Sequence, residues 1–188
     1  MKKFLTALIV LLIFTAQAQA LPFNRTQLDK MFLDVEQVQT NATLALNVET
    51  FKEKFNGLIT PILKEAMGTD DVSAMEHLFL IKNYKIIGNT FANMFGDYRV
   101  SVVGTCAADG NFKVLSLYYT TPEEKDESIF TIWLMTAFVK SIAPEVNPQT
   151  LMNELTAENS SGSVVKGDLK FSIAEDGNLN VLTVTPNQ

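Results

Sequence analysis

One short pattern occurs twice and limits what this chain can fold into. Residues 107–117 read Ala-Ala-Asp-Gly-Asn-Phe-Lys-Val-Leu-Ser-Leu, and residues 174–184 read Ala-Glu-Asp-Gly-Asn-Leu-Asn-Val-Leu-Thr-Val, an offset of 67 positions. Each copy sets Asp-Gly between two alternating apolar runs. This is the strongest short-range signal for a β-hairpin, because a tight primed turn needs a positive φ that glycine adopts without strain. Two such hairpins organise the chain, and the elements before each follow a common order.

Asn47 is placed to cap a helix from Val48 to about Met67, with Phe51, Phe55, Leu58, Ile59, Ile62 and Leu63 as its apolar stripe. Pro61 lies inside this run and predicts a kink or break. Gly68 ends the element, and Asp70-Asp71 precede a second helix over about Val72–Leu80. Tyr84–Met94 reads as strand, Tyr98, Val100 and Val102 alternate with Arg99 and Ser101, and Phe112–Tyr119 completes a three-stranded meander.

The second half repeats the order. Thr121-Pro122-x-Glu124 predicts a capping box at the start of a helix that runs to about Ile142. That helix is apolar nearly all round, which places it centrally. Asn147-Pro148 opens a short helix to about Leu155, and strands follow around Val164-Val165, Leu169–Ile173 and Leu179–Val184. The expected fold class is α+β: a duplicated helix-helix-three-strand unit, with an antiparallel sheet packed on helices. The expected organisation is a signal peptide at 1–20, an N-terminal arm at 21–46 with an amphipathic helix over about Gln27–Val38, and one domain at 47–188 built of repeats 47–120 and 121–188.

The tandem plan resembles that of small secreted inhibitor proteins that bind enzymes through an open sheet face. Only the plan is shared, and no motif accompanies it. The resemblance implies an exported, non-catalytic chain that docks a protein partner.

Lys2-Lys3, the apolar run Phe4–Phe14 and Ala18-Gln19-Ala20 form a signal peptide, cleaved after about Ala20, which implies a periplasmic or secreted protein with no stable membrane anchor after cleavage. Without those two lysines the chain holds 13 basic against 21 acidic residues, a net charge of −8. Nucleic acid is therefore not an expected partner, since it selects basic clusters, and a cationic partner suits the chain better.

Each chemical candidate has a plainer reading. Asp109 and Asp176 sit in tight turns and lack the carboxylate run of a calcium loop. Glu123, Glu124, Asp126 and Glu127 stand at a helix start, where negative charge is favoured. Cys106 is the only cysteine and His77 the only histidine, too few ligands for zinc and without a nucleophile signature. No catalytic residue, metal or cofactor is expected. The expected binding residues are Phe91, Phe95, Tyr98, Tyr118 and Tyr119, an aromatic group on the first meander that the second does not match. The alternatives are a carrier with an apolar pocket between helix 122–142 and the sheet, and a carboxylate-only hydrolase.

Overall fold

The structure, a computed structural model, describes residues 23–96 and 99–187; the signal-peptide segment 1–20 and Tyr98 lie outside the described residues. Asn24 opens α1 (Arg25–Glu36) with a capping box: its side chain accepts the Gln27 N–H, and its own N–H donates to the Gln27 side chain. The chain then runs extended along the start of the central sheet. The Leu44 N–H donates to the Phe112 carbonyl at 2.7 Å, and the Phe112 N–H donates to the Leu46 carbonyl at 2.9 Å.

Helix α2 (Val48–Met67) is capped by Asn47 through the Thr50 N–H and closed by Gly68 at φ 64. It runs unbroken through Pro61. The carbonyl that loses its partner there belongs to Gly57, on the exposed side, where it is open to solvent. Helix α3 keeps only Ser73–Glu76 of the longer helix expected. Asn56 of α2 accounts for the early stop: its side chain bonds both the N–H and the carbonyl of Ile81, drawing the chain into an extended course.

The strand expected over Tyr84–Met94 folds back on itself at Gly88-Asn89, giving β1 (Lys85–Ile87) and β2 (Thr90–Phe95). Gly88 has φ 62, which fits the preference of a type II′ turn for glycine at its first central position. Strands β3 (Val100–Cys106) and β4 (Phe112–Thr120) follow. Helix α4 (Lys125–Ile142) begins three residues later than the capping box predicts, with Glu124 at its cap and no side-chain cap bond. Thr121 is committed to the sheet instead. Its N–H donates to the Asn178 carbonyl, and its hydroxyl accepts from the Asn180 side chain. Helix α5 (Pro148–Thr156), capped by Asn147, precedes β5 (Ser163–Lys166), β6 (Leu169–Asp176) and β7 (Leu179–Pro186).

The architecture is α+β, with all seven strands in one antiparallel sheet of order β1-β2-β3-β4-β7-β6-β5. The halves join where β4 pairs β7, and Ser116 faces Thr183 there with hydroxyls 3.0 Å apart. The halves do not match element for element: the first has the extra strand β1 and a four-residue second helix, the second a nine-residue one.

Both sheet faces are covered, by different means. On one face α2 and α4 pack over Phe91, Phe95, Val102, Leu117, Phe171 and Leu182, all within one main core. Phe51 sits at its centre, its ring 5.6 to 6.2 Å from those of Phe55, Phe91, Phe112 and Phe138. Edge-to-face contacts of this kind favour one arrangement of the rings beyond what area burial supplies. On the other face α1 lies across the middle strands, where Phe23, Met31 and Val35 close a smaller cluster over Val103, Val114, Tyr118 and Leu179.

Candidate functional site

Strand alternation decides where the expected aromatic group ends up, since neighbours along a strand face opposite sides. Phe91, Phe95 and Tyr119 belong to the helix-covered face, and Tyr118 to the face under α1. Phe91 is 0 % exposed, Phe95 1 % and Tyr118 1 %. The Tyr118 hydroxyl donates to the Met31 carbonyl at 3.3 Å, and burial holds its pKa well above the ordinary tyrosine value. Tyr119 is half-buried, and burial followed by the Glu175 carboxylate raises its pKa as well. The four described rings therefore share no open patch. They tie the sheet to helices on both sides.

Exposure is concentrated elsewhere. Seven large apolar side chains stand exposed among the described residues, and three of them are on β1 and β2: Ile86 at 58 % and Ile87 at 63 % on β1, and Met94 at 43 % on β2, beyond the last β1–β2 pair. Strand β1 is the edge of the sheet, paired only on its inner side, with Lys85 opposite Ala92, Ile86 opposite Phe91 and Ile87 opposite Thr90. An edge strand presents a row of backbone donors and acceptors to any added strand. Because Ile86 pairs with Phe91, it lies on the helix-covered side, whereas Lys85 and Ile87 lie on the other.

On the Ile86 side the margin opens into a cleft of about 550 Å3 between the start of α2 and the Asp109-Gly110 turn. Ile86, Val48 and Cys106 line it, with Phe91 beneath, and Glu49 and Asp109 supply its charge. Glu49 accepts from the Tyr84 hydroxyl at 2.6 Å and from Lys52 at 2.9 Å, and these two bonds, Tyr84 first, hold its carboxyl below the ordinary range. Asp109 accepts from the backbone N–H and the side chain of Asn111, which likewise lowers its pKa. Cys106 is half-buried, and its thiol is pushed up by burial and then by the Asp109 carboxylate.

What this arrangement can do chemically is bounded. Carboxylate-pair hydrolysis needs one acid whose pKa is raised so that it can donate a proton. Both carboxyls of this cleft are shifted down instead. Among the described residues no three His, Cys, Asp or Glu side chains converge on a metal position, and no helix is long and apolar enough to cross a membrane. Between α4 and the sheet, where a carrier's pocket is expected, Leu134, Ala137 and Phe138 fill the space at 0 % exposure. His77 is exposed just past α3.

Sequence reasoning missed Ile86, Ile87 and Met94. The signal that finds them is the Gly88-Asn89 pair between two apolar runs, a hairpin cue that turns one long strand into an edge strand and its neighbour. Comparison of the chain with protein-family models, with curated proteins and with solved structures returned no match.

Proposed function

We propose that the chain is an exported, non-catalytic binding protein that takes a protein partner at the β1–β2 margin of its sheet. The carrying observation is the edge strand β1, whose Ile86 and Ile87 are both exposed, Ile86 beside a cleft, with exposed Met94 on the neighbouring β2. Exposed apolar side chains scattered singly need no explanation, but two adjacent isoleucines on an edge strand with unpaired outer backbone match the way proteins accept an added strand. Export rests on the Lys2-Lys3 start, the apolar run that follows and the Ala-Gln-Ala site.

The proposal moves the binding surface outward from the buried rings to the neighbouring sheet margin. The hydrolase and carrier alternatives draw less support: neither cleft carboxyl is shifted upward, and side chains fill the layer between α4 and the sheet. Site-directed photocrosslinking tests the reading. A benzophenone residue is placed at position 87, at position 94 and, as a control on the opposite edge strand, at position 165, in the secreted or periplasmic fluid of the producing cells. The reading expects one protein adduct shared by positions 87 and 94 and absent at 165. Adducts at 165 alone, or at none of the three, contradict it.

A further inference from the structure

We infer that the partner presents an extended segment in which a lysine or arginine stands next to an apolar residue, with the basic side chain entering the cleft between α2 and the Asp109-Gly110 turn. This rests on the reading of the β1–β2 margin as the docking site and names what that site selects.

The register supplies the pattern. A strand added along β1 continues the alternation of the sheet, so the side chain opposite Ile86 falls on the cleft side, and those on either side of it fall beside Lys85 and Ile87. β1 is three residues long, which leaves room for one cleft-facing side chain flanked by two on the far side. The flanking position beside Ile87 meets an exposed isoleucine and is suited to an apolar side chain, and the other meets Lys85.

Charge supplies the identity of the middle residue. The cleft lining includes the carboxylates of Glu49 and Asp109 and no lysine or arginine. Lys52 bridges Glu49 from outside that lining, in a solvent-exposed pair that offsets the local charge weakly. Lys85 projects from the opposite face of β1 and does not neutralise the cleft. The walls beneath the carboxylates are apolar, formed by Ile86 and Val48. A long basic side chain fits this order of surfaces, because its methylene stem lies on apolar walls while its charged head stays at the rim. A glutamate or aspartate would meet like charge, and an entirely apolar side chain would leave Asp109 without a counterion, Glu49 being bridged by Lys52. The chain as a whole, with 15 basic and 21 acidic residues, adds a long-range attraction for a cationic segment.

The test uses a labelled peptide of alternating valine and arginine, and the same peptide with glutamate for arginine, titrated by fluorescence anisotropy against the full mature chain. The arginine peptide is expected to bind at least about tenfold more tightly than the glutamate peptide. Asp109→Asn keeps the turn-forming side chain and is expected to weaken the arginine peptide by about three- to fivefold. Raising the salt concentration should weaken it further, since the carboxylates are at the surface. As an independent readout, the arginine peptide should slow alkylation of Cys106, which lines the same cleft. Equal affinity for the two peptides, no change on Asp109→Asn, or no binding tighter than about 1 mM overturns the inference. The two levels separate cleanly. Crosslinks at 87 and 94 with no preference for arginine leave the docking site standing and remove the basic residue, whereas crosslinks only at 165 remove both.

Discussion

Alanine at position 104 should weaken the protein, while alanine at position 57 should strengthen it, although both replace a glycine by the same residue. Gly104 lies in β3 opposite Leu115. The register slips at Lys113, so that Phe112 and Leu115 both turn toward the main core although they are three positions apart. Their side chains close over the place where a side chain at 104 would begin. A Cβ there would stand 2.6 Å from the Val114 carbonyl oxygen, 2.7 Å from Leu115 Cδ1 and 3.0 Å from Phe112 Cδ1. The first contact is with backbone held in the ladder by Thr105, so it yields only if the strand moves. Overpacking of this kind costs about 1–3 kcal/mol, and a backbone clash argues for the upper end. Relief of glycine's conformational entropy returns about 0.5–1 kcal/mol, leaving a net loss of about 2 kcal/mol. For a domain of this size that lowers Tm by about 4–8 °C. Gly57 is in the exposed interior of α2 with nothing within 4 Å of an added Cβ, so Gly57→Ala should gain about 0.5–1 kcal/mol. Urea titration of both variants, with slopes equal to that of the parent, measures the two changes. A Gly104→Ala variant within about 0.5 kcal/mol of the parent would refute the bulge-and-closure account of β4.

Two further predictions concern ionisation. Tyr118 has a pKa raised above its unfolded value of about 10 by burial under α1, so its contribution to stability is intact below that pH and is lost as pH climbs through the folded value. Tyr118→Phe should therefore lose less stability than the parent between about pH 9 and pH 11 in urea titrations, and an equal loss in both contradicts the burial. For Cys106, the Asp109 carboxylate adds to burial in holding the thiol protonated, so Asp109→Asn should speed its reaction with iodoacetamide near neutral pH; an unchanged or slower rate contradicts that assignment.

What could be read from residues alone was what is decided locally. Asn47 and Asn147-Pro148 mark helix starts because the capping groups lie within one turn, and Asp-Gly marks the hairpins because the turn carries its own backbone requirement. The reading failed where a distant group took the local one. Thr121 has the sequence of a helix cap, yet its hydroxyl is claimed by Asn180, fifty-nine residues away. The helix after Gly68 stops early because Asn56, on another element, takes the backbone of Ile81. The joining of the two meanders at Ser116 and Thr183 is equally non-local.

The candidate site shows the same division. Tyr118 and Tyr119 are adjacent in sequence and look like one patch, but alternation sends them to opposite faces, and which face is covered depends on where α1 lies. Ile86 and Ile87 are exposed because Gly88-Asn89 turns the chain and leaves β1 at the edge. Burial of an apolar residue is a property of what packs on it, and residues near in sequence do not determine that for an edge strand.

The most direct test of the account compares two edge variants, Ile87→Asp and Val165→Asp, for retention of the partner crosslinked at the β1–β2 margin. Both side chains are exposed, at 63 % and 50 %, and both lie on edge strands, so each variant should melt with the parent. The account predicts that Ile87→Asp loses the partner and Val165→Asp keeps it. Retention by Ile87→Asp, or loss through Val165→Asp, would contradict it.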